Sequence, residues 1–112
     1  MDKIFEKFET EIRRGVMQLA IVCILNREQY GYEIIKNLNE SGLKVEEGTL
    51  YPILRRLERA KILSSQWETS GPRPRKYYKI TEYGGEVRKK WLNTFKKINK
   101  TILNLEEYIQ DE

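Results

Sequence analysis

The sequence predicts a mainly α fold with one small β-hairpin, an α+β domain, and three observations carry that expectation. Apolar residues recur at spacings of three and four along most of the 112-residue chain. Only residues 62–80 switch to a period of two, on either side of a Ser-Gly-Pro-Arg-Pro turn. A seven-residue apolar repeat then closes the chain. The length fits one compact domain.

The first helix is expected from about Asp2 to Asn26. Ile4, Phe8, Ile12, Val16, Leu19, Ala20, Cys23 and Ile24 recur at helical period. From Val16 to Leu25 apolar residues surround the helix, which implies burial on most sides, with Cys23 a small buried hydrophobe. The earlier half carries a narrow stripe flanked by charge, as where a helix meets one partner. The ten-residue run Val16 to Leu25 is broken by Gln18 and is too short to span a bilayer. A mixed-charge segment precedes it and no cleavage-like site follows, so no signal peptide is expected and the cytoplasm is the default location.

The second helix should run from Tyr30 or Gly31 to Ser41, burying Ile34, Ile35 and Leu38, with Gly42 as a left-handed stop. After a short turn through Glu46, the third should span about Glu47 to Ala60. Leu50, Ile53, Leu54 and Leu57 make its apolar face; Thr49, Tyr51, Pro52, Arg55, Arg56 and Arg59 lie away from it. Pro52 would break a helix if placed late, so the helix starts no earlier than about residue 47.

In the hairpin, Leu63, Ser65 and Trp67 should share the inner face of the first strand. Tyr78 and Ile80 should face inward from the second, with Arg75, Tyr77 and Lys79 outward. The last helix should begin at the N-cap Thr81, weakened there by Gly84 and Gly85, and continue to about Ile109. Trp91, Phe95, Ile98, Ile102, Leu105 and Ile109 form its heptad seam, with Arg88 and five lysines on other faces. The order α-α-α-β-β-α is that of a winged helix-turn-helix. Residues 1–81 would form the winged unit and residues 82–112 a C-terminal dimerisation helix.

Charge locates the function. The net charge of +4 is not spread evenly: residues 1–42 carry −1, residues 43–81 carry +5 and residues 82–112 are neutral. A basic zone confined to the third helix and hairpin fits a polyanion ligand. A recognition helix needs an apolar back and a polar, basic front. Thr49 and Tyr51 could hydrogen-bond to base edges or phosphates, and Arg55 and Arg56 could reach guanine or phosphate. Arg73, Arg75 and Lys76 sit at a proline-stiffened turn, where arginine gains from a narrow minor groove. With no histidine and a single cysteine, no Cys/His metal site is expected. No Gly-rich phosphate loop or acid–base cluster suggests catalysis or a cofactor. The rival reading is a winged helix used for protein–protein interaction, which would favour a neutral wing.

Three segments, Tyr30-Gly31-Tyr32-Glu33-Ile34, then Gly48-Thr49-Leu50-Tyr51-Pro52-Ile53-Leu54-Arg55-Arg56-Leu57-Glu58, then Arg75 through Gly84, resemble the PadR family of phenolic-acid- and multidrug-responsive repressors. The resemblance covers about residues 15–110 and is nearest the short subfamily with a single closing helix. It implies a homodimer on a pseudo-palindromic DNA site, repressing a nearby exporter or detoxification gene until a planar aromatic compound releases it. It places Thr49, Tyr51, Pro52 and Arg55 on the recognition helix and Arg73, Arg75 and Lys76 on the wing. Tyr32, Lys36, Arg56 and Tyr77 complete the candidate DNA contacts.

A dimer is also expected from the seam itself, because each large side chain left in water forgoes roughly 1.5–3 kcal/mol. Ile4, Phe8 and Ile12 of the first helix should join Trp91, Phe95, Ile98, Ile102, Leu105 and Ile109 in that interface. Trp91 and Phe95, with Phe8 and Ile12, are the candidates to hold an aromatic effector.

Overall fold

The computed structural model describes residues 3–111. Its elements are α1 (Lys3–Ile24), β1 (Gln29–Tyr30), α2 (Gly31–Glu40), α3 (Glu47–Arg59), β2 (Leu63–Glu68), β3 (Arg75–Ile80), α4 (Glu82–Leu105) and a closing 3-10 helix (Glu106–Asp111). The four expected helices and the hairpin are present; the expected start at Asp2 lies outside the described residues. Glu47 opens α3, as Pro52 requires, leaving the proline in the second turn.

The strand β1 is not foreshadowed by any sequence pattern. It pairs antiparallel with β3, Gln29 opposite Tyr78 and Tyr30 opposite Tyr77, giving the sheet order β1-β3-β2. Two residues are too few to display a period; tertiary hydrogen bonds fix this strand instead. The buried Gln29 donates from Nε2 to the Ile24 carbonyl at 2.6 Å and accepts from Asn37 Nδ2 at 2.7 Å. The Ile80 N–H donates to the Leu25 carbonyl at 2.9 Å, tying the sheet to the end of α1.

One core joins these layers. Met17, Ile21, Val22 and Leu25 of α1 meet Ile34 and Leu38 of α2, the Leu50, Ile53, Leu54 and Leu57 face of α3, and Leu63 and Tyr78 of the sheet. Helices α2 and α3 end in the same hydrogen-bonded motif. Leu43 N–H donates to Leu38 O and Gly42 N–H to Asn39 O; Ile62 N–H donates to Leu57 O and Lys61 N–H to Glu58 O. The residue that turns left-handed is Gly42 in the first case (φ 104°) but Lys61 in the second (φ 64°).

The start of α4 is locked to the turn before β2. Thr81 Oγ1 accepts from the Gly84 N–H at 2.9 Å and donates to the Lys61 carbonyl at 2.7 Å. A Cβ on Gly84 would lie 2.1 Å from the Ile62 carbonyl oxygen. Gly84 is therefore a close-packing position as well as a weak helix former; its bare Cα lets α4 lie against the backbone.

Three expectations about packing are corrected. Cys23 is exposed, because the α1 core stripe runs through Met17, Ile21, Val22 and Leu25. Its flank is still desolvated, which raises the thiol pKa, and nearby Arg88 opposes that rise. Trp67 shares a face with buried Leu63 but is 60% exposed, since β2 runs past the core before it reaches residue 67. The last helix is α-helical only to Leu105; Ile109 falls in the 3-10 turn and leaves the heptad line. Glu106 and Glu107 put negative charge at the negative end of the helix dipole, which disfavours extending it.

The radius of gyration is 16.7 Å, against about 13 Å for a compact chain of this size. The excess comes from α1 and α4, which project beyond the core. Ile4, Phe8 and Ile12 on α1 are exposed, as are Phe95, Ile98, Ile102 and Leu105 on α4.

Candidate nucleic-acid interface

The front of α3 follows from its back. With Leu50, Ile53, Leu54 and Leu57 buried, the opposite side carries Gly48, Pro52, Arg55 and Arg59 at spacings of four, three and four, and all four are exposed. One edge, formed by Glu47, Tyr51 and Arg55, borders a cleft of about 680 Å3 beneath the hairpin. Tyr32, Trp67, Arg73, Arg75 and Lys76 line its other walls. Of the candidate contacts, the fold thus brings Tyr32, Tyr51, Arg55, Arg73, Arg75 and Lys76 to one concave face. Lys36 is exposed one turn beyond Tyr32 on the same side of α2.

Within this cleft the residues differ in freedom. Tyr51 is half-buried, its hydroxyl seated where a side chain on residue 31 would be: a Cβ at Gly31 would lie 2.0 Å from that oxygen. Burial first, then Glu47 and Tyr78, raise the Tyr51 pKa, so the phenol stays protonated and able to donate. Arg75 lies over the Tyr30 ring, 4.5 Å from its centroid, and its charged form is favoured by the hydrogen bond to Tyr77 and then by Tyr30. Tyr30 in turn packs edge-on against Tyr77 at 5.4 Å and stacks with Tyr32 at 6.4 Å. The contacts of Tyr30 with Tyr77 and Arg75 arise from the pairing of β1 with β3. The motif Tyr30-Gly31-Tyr32 was legible in the sequence; the role of Tyr30 as a platform for Arg75 was not.

Two candidate cations are already engaged. Lys76 is on the inner face of β3, with Nζ 3.3 Å from Glu58 Oε1 and 5.4 Å from the Tyr78 centroid. Glu58 also accepts from the Ser65 hydroxyl. Arg56 turns to the other edge of α3 and donates to Gln18 Oε1 at 2.7 Å. Thr49 is on that edge too, beside α1. Arg55, Arg59 and Arg73 form no ion pair among the described residues.

A second concavity, about 510 Å3, opens between α1 and α4. Ile12, Val16, Leu19, Trp91, Phe95 and Ile98 give it apolar walls, and Glu11 supplies its one charged side chain. It unites three of the four effector candidates; Phe8 lies outside it. Among the described residues no group of His, Cys, Asp and Glu could hold a metal ion, and no helix is long and apolar enough to cross a membrane.

Comparison with known proteins agrees with this geometry. Residues 21–90, which include β1, α2, α3, the hairpin and the start of α4, match the transcriptional regulator PadR-like family. A transcriptional regulator of Mycobacterium tuberculosis is 33% identical over 75 residues, covering 66% of this chain and 70% of that protein. The crystal structure of a PadR family transcriptional regulator from Eggerthella lenta superposes with a TM-score of 0.86 at 34% identity, covering 95% of each chain. A PadR-like regulator from Bacillus cereus gives 0.75 at 33% identity, over 85% of this chain and 95% of its own. These relatives are regulators rather than enzymes, and the chain belongs to the PadR-like family of DNA-binding transcriptional regulators.

Proposed function

We propose that this chain is a homodimeric repressor in which α3 enters the major groove and the hairpin acts as the wing. The observation that carries the reading is the convergence of Arg55 on α3 with Arg73 and Arg75 on the hairpin at one cleft. Pro52, Arg55 and Arg59 would face base edges. Arg73 and Arg75 would reach the phosphates or minor groove beside them, with Tyr32, Lys36, Tyr51 and Tyr77 along the border. Thr49, Arg56 and Lys76 are secondary contacts on this reading: Thr49 and Arg56 lie on the far edge of α3, and Lys76 must leave Glu58 to reach DNA.

The exposed stripes of α1 and α4 support the dimer. Ile98 is 57% and Ile102 56% exposed, and a two-fold partner would cover them together with Ile4, Phe8, Ile12, Trp91, Phe95, Leu105 and Ile109. Two recognition helices would then lie about 34 Å apart over a pseudo-palindrome. The α1–α4 groove is the place for a flat aromatic effector, its size lying within the roughly 300–1,000 Å3 typical of ligand sites. The regulated gene would be a nearby exporter or detoxification gene.

Sedimentation with a fluorescent duplex from the chain's own upstream region tests this reading. A dimer should co-sediment with that duplex at about 150 mM salt in preference to scrambled DNA, and release it as salt rises. The double variant Ile98→Lys and Ile102→Lys should be a folded monomer with at least about 100-fold weaker operator binding. A dimer indifferent to DNA at every salt concentration would instead make the winged helix a protein-interaction module.

A further inference from the structure

We infer that a second phosphate-binding site lies on α1, across α3 from the wing. It rests on the DNA-binding reading above and extends its footprint. Thr10, Arg13, Arg14 and Met17 recur at spacings of three, one and three, so they share one stripe of α1. That stripe meets Lys44 and Thr49 in a crease of about 210 Å3 floored by buried Met17 and Ile53. Arg13 pairs with Glu9 at 3.2 Å, whereas Arg14 and Lys44 form no ion pair among the described residues. Lys44 stands on fixed backbone: the next residue, buried Val45, donates its N–H to Asn39 Oδ1 at 3.0 Å. Arg56, on the same side of α3, is occupied by Gln18. The nearby acids include Glu9, held by Arg13, Glu11, three residues before Arg14 on α1, and the N-cap residue Glu46.

The geometry of a groove gives these cations an occupant. A helix with its side chains is about 10–12 Å across and the major groove about 12 Å wide, so both edges of an inserted helix face a phosphate wall. The Glu47–Tyr51–Arg55 edge of α3 borders the wing. The Thr49–Ile53 edge, roughly half a turn away around the axis, borders Arg14 and Lys44. The occupant of the crease is therefore the sugar–phosphate backbone of the groove wall that the wing does not touch. Arg14 and Lys44 neutralise its charge and the Thr49 hydroxyl donates to a phosphate oxygen. The recognition helix is then clamped between two cationic supports rather than steered from one side.

The experiment uses the full chain and a duplex that the protein itself selects from a random pool. Binding is read by fluorescence anisotropy across salt, and phosphates by ethylation interference. Arg14→Gln with Lys44→Gln, both at exposed positions, should weaken binding roughly tenfold at about 150 mM salt. It should also flatten the log–log salt slope by about 0.9 for each phosphate no longer neutralised. Interference should vanish at the phosphates on the side of each half-site away from the wing. The charge-conserving variants Arg14→Lys and Lys44→Arg should keep the slope. Arg73→Gln with Arg75→Gln should erase the opposite set of phosphates. A double variant that retains the wild-type slope and phosphate pattern overturns the α1 site and leaves the wing reading intact. Failure of the wild-type chain to select any duplex overturns both.

Discussion

The α3–hairpin head and the α1–α4 arms use the same side chains to opposite ends. In the head, Leu50 and Leu54 are fully buried, and α3 is held against α1, α2 and the sheet. Along α4, Ile98 and Ile102 lie at equally regular helical spacing, yet more than half of each is exposed. Helical periodicity therefore names a face but not its occupant. The head resolves its apolar face within one chain and can aim Arg55 and Arg75 with fixed backbone. The arms leave their apolar face uncovered within the chain, and on the proposed reading a second copy covers it.

The sharpest way to break this contrast is to truncate one residue from each region. Leu54→Ala should cost about 3–4 kcal/mol in urea unfolding, because it leaves a cavity in a closed core. Ile102→Ala should alter the unfolding midpoint only through its dependence on protein concentration, as expected of an interface residue. Equal, concentration-independent losses would show that α4 is packed within the chain after all.

A second pair probes where head and arm join. Gly84→Ala should destabilise by about 2–3 kcal/mol, because the Ile62 carbonyl beneath it is backbone and cannot swing aside. Gly85→Ala, with nothing within 4 Å, should instead stabilise by roughly 0.5 kcal/mol through helix propensity. Circular dichroism melts of the two variants decide it. If Gly84→Ala costs nothing, α4 does not lie against the Ile62 backbone as described.

Within the head, Tyr30→Leu should loosen Arg75 without touching the core. Operator affinity should fall about threefold with the salt slope retained, since the cation remains and only its platform is removed. Arg75→Ala should reduce the slope itself. An affinity unchanged by Tyr30→Leu would reduce the stack to a packing arrangement. A similarly small effect is expected at the left-handed end of α3. Lys61→Gly should add about 0.5–1 kcal/mol by relieving the positive φ, a gain that Gly42 already provides at the end of α2.

Much of this molecule could be read without coordinates. Heptad and helical spacing located four helices, Thr81 and Gly42 marked ends, and Pro52 fixed where α3 could begin. These are local properties: a cap, a glycine stop and a proline act through bonds within a few residues. The charge map and three motifs likewise pointed to the α3–hairpin unit before its cleft was seen. The misreadings have one cause. Cys23 and Trp67 followed the right periodicity but met solvent, and the partners that Lys76 and Arg56 find, Glu58 and Gln18, have no local signal either. What a side chain touches depends on residues tens of positions away. Gln18 lies on α1 and Arg56 on α3, and Tyr30 reaches Arg75 only across the β1–β3 pairing. The sequence alone determined which faces are apolar, which segment is basic and where α3 and α4 start. Tertiary packing decided which cations are free, which ring supports Arg75 and why Gly84 must be bare, because those depend on distances that no local pattern encodes.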